Sequence, residues 1–204
     1  MPAKGKVGAL PQTPPRGDPL EPITLSDGGL GHQAPAGSRG RAPGLFTIRS
    51  CTPEDVPTVL RLVRALAEYE KLAHLAVATA DDLHHALFGK RPLAESALAE
   101  TGGNAVGLVL WYFAFSTFAG RPKLFVEDVF VEPAHRGNGI GLALFRHAAR
   151  AAMAAGCIGM EWSVLTWNRP ALAFYRRIGA HPVTDWQTQQ LRGDALAALG
   201  AGHG

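Results

Sequence analysis

A glycine-rich turn between a β-rich segment and an alanine-rich segment constrains this fold more than any other feature of the chain. The string VEDVFVEPAHRGNGIGLALF carries glycines at Gly137, Gly139 and Gly141. Glycines at alternate positions let the main chain turn tightly and point its N–H groups outward at the positive end of a following helix. The segment therefore predicts a strand, a loop and a helix, and a phosphate group is the expected ligand of the loop. The spacing matches neither the Rossmann fingerprint nor the P-loop, and alone it is equally compatible with a purely structural turn.

Composition divides the chain into two parts. Residues 1–44 hold 8 of the 15 prolines and 9 of the 24 glycines and contain no aromatic residue. Such a segment cannot bury enough apolar surface to fold, so it is predicted to be a flexible N-terminal tail. Residues 45–204 are predicted to form one folded domain. No secretory signal and no membrane-spanning segment is expected anywhere in the chain.

Charge and cysteine usage narrow the classes of partner. The formal net charge is +3. Five basic and three acidic residues lie in the tail, so residues 45–204 contain 15 basic and 14 acidic residues. A nearly neutral domain predicts no nucleic-acid partner. Cys51 and Cys157 lack metal-binding spacing, which favours free thiols in a reducing cytoplasm. No metal is predicted, because no HExxH motif or other metal-ligand pattern occurs.

Hydrophobic periodicity predicts a mixed α/β (α+β) domain. Thr52, Pro53 and two following acids form a helix start, and apolar residues then recur at helical spacing as far as Tyr69. A β-hairpin turning at residues 120–122 precedes the glycine loop. The remaining predicted elements are a strand at 45–49, a weaker helix at 81–88, hairpin strands at 103–115 and 124–131, a helix at 142–155, a strand at 158–165, a helix from Asn168 to Gly179 and a last strand at 181–191.

Four ordered motifs carry a resemblance to a known family. These are FTIRSCTPEDVPTVLRLVRALAEYEKL, ALFGKRP, the R-x-x-G-x-G loop that begins at Arg136, and WNRPALAFYRRIGA. Over about residues 45–187 the chain resembles the GNAT superfamily of N-acetyltransferases, and within it the spermidine/spermine and thialysine branch. The resemblance implies a mostly antiparallel central sheet flanked by helices and splayed at an acetyl-CoA site. It also implies a homodimer.

The same resemblance implies how acetyl-CoA would be held. Its pyrophosphate would lie on main-chain N–H groups of the loop, and Arg136 would shape the entry. The pantetheine arm would pair with main-chain groups of the preceding strand, as an added strand does. Asn168 would contact the departing end of the cofactor, although capping of a helix is an equally good and compatible role for it. The implied cofactor residues are Val129, Phe130, Val131, Arg136, Gly137, Asn138, Gly139, Ile140, Gly141, Leu142 and Asn168.

The resemblance also implies two catalytic residues. A primary amine with a pKa near 10.4 is uncharged in only about one molecule in a thousand at neutral pH, so a base must remove its proton. Glu127 is the implied base, with a solvated carboxylate as the alternative. Tyr175 is the implied acid that protonates the leaving sulfur, with core packing as the alternative. Asp128 would point to the opposite face of a regular strand and is predicted to be structural.

The acceptor is expected to be a small cationic amine, such as a polyamine, a diamine or a thialysine-like amino acid. The resemblance implies Tyr69, Glu70 and Glu127 as acceptor residues, which suits ammonium groups because these bind carboxylates and aromatic faces. Trp162 is a further candidate, with core packing as the alternative. Two features depart from the polyamine enzymes and favour a smaller acceptor. One is the apolar sequence that follows Glu70, and the other is Ser116 in FAFSTFAG. Two alternatives stay open. One is a protein amine or an aminoglycoside as acceptor, and the other is a non-catalytic acyl-CoA-sensing module.

Overall fold

The computed structural model describes residues 23–24 and 45–202. The chain divides into two compact units, one ending at Ser163 and the other beginning at Val164. The predicted tail, residues 1–44, lies outside the described residues apart from Ile23–Thr24, which form a short strand. None of the helices described in residues 45–202 combines the length and the apolar composition that a membrane span requires.

The first unit is built on one six-stranded sheet with its strands in chain order. Neighbouring strands are antiparallel except for the last pair, which is parallel. This topology confirms the mixed, mostly antiparallel sheet that the sequence predicts. The strands are β1 (Ile23–Thr24), β2 (Thr47–Ser50), β3 (Glu95–Thr101), β4 (Asn104–Ser116), β5 (Arg121–Val131) and β6 (Met160–Trp162).

Three helices cover the two faces of this sheet. Helices α1 (Val56–Tyr69) and α2 (Ala80–Phe88) follow the predicted helix starts, and a single 3-10 turn at Pro53–Asp55 leads into α1. They pack on one face, here called the α1 face, whose buried side chains are Val59, Leu62, Leu66, Leu87, Leu98, Leu108, Leu110 and Phe130. Helix α3 (Ile140–Ala154) packs on the other, here called the α3 face, whose buried side chains include Ile48, Val109, Trp111, Leu124, Val126 and Leu144.

The second unit contains two short helices. Helix α4 (Arg169–Arg177) begins after Asn168 as predicted, and helix α5 (Gly193–Gly200) lies near the end of the chain. The strand predicted at 181–191 is wrong, because that segment has no regular secondary structure. Residues 164–202 contain no other strand with which it could pair inside this unit, and Pro182 lacks an N–H donor.

Two further predictions differ from the structure. Strand β3 was missed, because its sequence ESALAET contains a single β-branched residue, Thr101, and otherwise has the composition of a helix. Its central position, between β2 and β4, buries Ser96 to Ala99 on both faces. The strand predicted at 158–165 is present but covers only Met160–Trp162.

Candidate active site

The glycine loop leaves the start of α3 open to a ligand. Gly137 and Gly139 adopt φ angles of 81° and 82°, in the left-handed region that favours glycine, and no atom lies within 4 Å of a Cβ built on either residue. Gly139 is the N-cap of α3 and has no side chain to cap it, whereas Thr79 accepts a hydrogen bond from Asp82 N in α2. The first N–H groups of α3 have no intrahelical partner, which suits an anion.

The strand before the loop presents an unpaired edge. Strands β5 and β6 pair only from Leu124 to Val126, so beyond that point β5 has β4 on one side and no neighbour among the described strands on the other. Phe130 is buried on the α1 face, and Val129 and Val131 pack against the α3 face. Because these side chains are turned into the two cores, an extended ligand beside this edge would meet main-chain groups.

A β-bulge lies at Glu127. In the register of β4 and β5, Leu110 pairs with Asp128 and Trp111 pairs with Val126, so Glu127 is the extra residue without a partner on β4. The bulge reverses the alternation of side chains along β5. Val126 lies on the α3 face before it, and Asp128 therefore comes to the α1 face beside Leu110, where a regular strand would have put it on the α3 face.

Three carboxylates interact electrostatically near the bulge. Asp128 is partly buried and its side chain makes no hydrogen bond or ion pair with any described residue. Burial, followed by the negative charges of Glu127 and Glu70, raises the pKa of Asp128 to about 6. Burial also raises the pKa of Glu70, which is the C-cap residue of α1. Glu127 is exposed, and its charge adds to the burial that raises the pKa of Tyr112.

Arg136 connects the loop to the end of α1. Its guanidinium lies over the ring of Tyr69, 4.3 Å from the centroid, and 5.6 Å from the ring centroid of Phe130. Its Nε donates to the carbonyl oxygen of Val131 at 2.8 Å. The side chain therefore fixes Tyr69, and with it the neighbouring Glu70, against β5 and the loop.

The remaining predicted site residues occupy separate places. Trp162 pairs with Val126 on β5 and packs on the α3 face with its ring edge-on to Phe145 at 5.1 Å, and its acceptor role stays a prediction. In the second unit, Asn168 accepts a hydrogen bond from Ala171 N at 3.3 Å and caps α4. Tyr175 lies on α4 with its ring 5.5 Å from that of Phe174.

Other predicted positions are occupied by structural contacts. The Ser116 hydroxyl accepts a hydrogen bond from Ala119 N at 3.3 Å in the β4–β5 turn. The Asn138 amide donates to the carbonyl of His135 at 3.3 Å and so stabilises the loop itself. Within residues 45–202, no three His, Cys, Asp or Glu side chains are grouped so that they could hold a metal ion.

Comparison with known proteins identifies the family. The family model "Acetyltransferase (GNAT) family" matches residues 61–180. Thialysine N-epsilon-acetyltransferase of Bos taurus is 34% identical over 163 residues, which cover 74% of this chain and 95% of that protein. L-ornithine N5-acetyltransferase NATA1 of Arabidopsis thaliana is 28% identical, covering 74% of this chain and 86% of that protein.

The solved structures agree on the fold. An integron cassette protein from V. cholerae superposes with a TM-score of 0.65 at 23% identity, covering 76% of this chain and 97% of that one. An aminoglycoside acetyltransferase from a soil metagenome superposes with a TM-score of 0.62 at 17% identity, covering 72% of this chain and 97% of that one. With a family model that spans more than half of the chain and a relative above 30% identity over most of its length, this protein belongs to the GNAT family of acetyltransferases.

Proposed function

We propose that this N-acetyltransferase transfers acetyl from acetyl-CoA to a primary amine of a small cationic metabolite, by direct attack in a ternary complex. The observation that carries the proposal is the electrostatic influence of Glu70 and Glu127 on Asp128, which lies next to the bulge of β5. Carboxylates at one place attract ammonium groups. Relatives named for thialysine, ornithine and spermidine/spermine support an acceptor among polyamines, diamines and diamino acids.

The residues that would hold acetyl-CoA fit its parts. The open N–H groups from Gly137 to Leu142 suit a pyrophosphate, and the edge of β5 from Val129 to Val131 suits an amide-bearing extended arm. Arg136 keeps the loop against β5. Asn168 is proposed to contact the cofactor as well as to cap α4. When bound, acetyl-CoA supplies an acetyl group activated as a thioester.

Two kinds of side chain are proposed to carry out the acid–base chemistry. An acceptor ammonium must lose a proton before it can attack, and at neutral pH this costs roughly 4 kcal/mol for a pKa near 10.4. A carboxylate near the bulge is suited to accept that proton, and the sequence predicts Glu127 for this step. The hydroxyl of Tyr175 is proposed to donate a proton to the leaving sulfur. Tyr69 would contribute an aromatic face to the acceptor site.

The setting of the enzyme is also part of the proposal. Cys51 and Cys157 are free thiols, which suits a reducing cytoplasm. The nearly neutral charge of residues 45–204 supports a small-molecule acceptor and no nucleic-acid or membrane partner. A homodimer is proposed from the family resemblance.

A panel of amines tests this function. The purified chain is mixed with acetyl-CoA and with thialysine, ornithine, spermidine, an aminoglycoside or a lysine peptide, and release of free thiol is followed. We expect turnover on the small diamines and sequential kinetics. Faster turnover on the peptide or the aminoglycoside would assign another acceptor class, ping-pong kinetics would contradict direct attack, and coenzyme A binding without any turnover would indicate a sensor.

A further inference from the structure

The bulge at Glu127 separates the two adjacent carboxylates of β5 into different surroundings. Glu127, the unpaired residue, is exposed to solvent. Asp128 lies on the α1 face between Leu110, with which it pairs, and Phe130, two positions along the strand. One carboxylate is thus in water, while the other is partly buried among apolar side chains.

The surroundings of Asp128 are those of a proton acceptor. No cation or hydrogen-bond donor of the described residues contacts its side chain, so nothing there holds it in the ionised form. The negative charges of Glu127 on β5 and of Glu70 at the end of α1 both act on Asp128 and favour its protonation. Arg136 is a cation on the same face, but its guanidinium is held over the rings of Tyr69 and Phe130.

Burial and these two charges raise the pKa of Asp128 to about 6. A general base works best when its pKa lies near the working pH, because it must be ionised before the reaction and still take a proton readily. Asp128 meets that condition through its position on the fold. Glu127 is not buried in this way, because it is the bulge residue and is exposed to solvent.

We infer that Asp128, and not Glu127, removes the proton from the acceptor amine, and that Glu127 and Glu70 act on it as neighbouring negative charges. The inference rests on the proposed function. In this step an N–H bond of the ammonium breaks and an O–H bond forms on the Asp128 carboxylate. The electron pair stays on nitrogen and becomes the nucleophile. The proton leaves Asp128 for solvent after transfer, which returns the carboxylate to its ionised form.

Two single substitutions separate this assignment from the one predicted by sequence. For Asp128→Asn we expect kcat/KM on the best diamine to fall by ~10²-fold or more, the usual size of a general-base effect. For Glu127→Gln we expect a loss below ~10-fold and an acidic limb of the pH profile that moves to lower pH, because removal of one negative charge lowers the pKa of Asp128. The reverse pattern, with Glu127→Gln losing ~10²-fold and Asp128→Asn nearly active, overturns the inference.

Controls keep these outcomes distinct from misfolding and from failure of the proposed function. Glu68→Gln, which removes an exposed acid from α1, is expected to leave the wild-type profile unchanged. Thermal unfolding and calorimetry with coenzyme A check that each variant folds and binds the cofactor. If Asp128→Asn does not fold, the shift of the acidic limb in Glu127→Gln decides alone: a shift supports the inference, and an unshifted limb overturns it. Wild-type enzyme that acetylates no amine would instead contradict the proposed function.

Discussion

The guanidinium of Arg136 lies 4.3 Å from the ring centroid of Tyr69, so the first residue of the glycine motif holds the last residue of α1. The same side chain donates to the carbonyl of Val131 on β5. One arginine therefore joins the helix that carries Glu70 to the strand edge and loop that would receive the cofactor. The two halves of the proposed site in the first unit are fixed to each other through this contact.

Substitution of Arg136 should loosen that connection. We expect Arg136→Gln to lower the free energy of unfolding by about 1 kcal/mol, since cation–π contacts at exposed sites contribute about that much, and to raise KM for the amine. Denaturant unfolding and steady-state kinetics measure the two effects. Arg64→Gln, which removes an exposed arginine from α1, the helix that ends at Tyr69, is the control. Equal behaviour of the two variants would contradict a connecting role.

The loop geometry predicts a specific effect of a single methyl group. Gly139 has a φ of 82°, so Gly139→Ala should cost about 1 kcal/mol of stability from backbone strain and should also weaken coenzyme A binding as the N–H groups turn away. Gly103→Ala is a matched control, because Gly103 has a φ of 77° and equally open surroundings in the β3–β4 turn. We expect similar losses of stability in both variants and a loss of affinity, measured by calorimetry, only in Gly139→Ala.

Local signals predicted the elements that frame the site. Thr52 and Pro53 mark the start of the helical region, and Asn168 marks the start of α4. The β4–β5 hairpin is present as predicted, but its turn lies at residues 117–120, and Arg121 and Pro122 already pair within β5. Each of these depends on residues close in the chain, which a sequence displays directly. The glycine loop was predicted for the same reason, because a positive φ demands glycine.

The features that were missed depend on partners distant in the chain. The bulge at Glu127 is defined by the pairing register of β4 with β5, and no residue in VEDVFV indicates it. A regular strand would put Asp128 on the α3 face with Val126, whereas the bulge brings it to the α1 face. Strand β3 was missed likewise, because its alanines are strand residues only between β2 and β4. The pKa of Asp128 also follows from burial and from Glu70, 58 positions earlier in the chain.

A buried histidine should make stability depend on pH. His147 is fully buried beside Trp111, and both of its ring nitrogens lack a hydrogen-bond partner. Burial, with a smaller contribution from Arg150, lowers its pKa from 6.5 to about 4. Because the folded-state pKa is the lower one, stability is fully present above pH 6.5 and falls as the pH drops towards 4, by about 3 kcal/mol.

Replacement of that side chain tests the effect. In His147→Leu, urea unfolding between pH 7 and 4 should show a shallower loss of stability than in the wild type, because the group that must shed its proton on folding is gone. His74→Leu, at an exposed position, should retain the wild-type slope. A wild-type slope in His147→Leu would show that other groups control acid unfolding.

The tyrosine on α4 should affect chemistry more than binding. We expect Tyr175→Phe to lower kcat by ~10²-fold, the low end of general-acid effects, while calorimetry finds nearly unchanged affinity for coenzyme A. The phenyl ring preserves packing beside Phe174, so stability should change little. Unchanged turnover would remove Tyr175 from the proposed role.

An ion-pair network at the edge of the α1 face should govern stability at low pH. Arg49 donates to both carboxylate oxygens of Asp55, at 2.6 and 2.8 Å, and to Glu100 on β3 at 2.7 Å. The hydrogen bonds from Arg49, opposed by burial and assisted by Thr52, lower the pKa of Asp55 from 3.8 to about 2. A lowered folded-state pKa means that this stabilisation is present above pH 3.8 and is lost as the pH falls to 2.

Removal of the arginine should therefore be costly only where Asp55 is ionised. With Arg49 about one-third exposed, we expect Arg49→Met to cost about 1–2 kcal/mol at pH 7, less than a fully buried pair would. The difference from the wild type should shrink between pH 4 and pH 2 in denaturant titrations, because protonated Asp55 no longer pairs. Lys123→Met breaks a pair with the half-exposed Glu161 and should cost under about 1 kcal/mol. A cost for Arg49→Met that does not vary with pH would show that packing of the long side chain, and not its charge, stabilises this corner of the sheet.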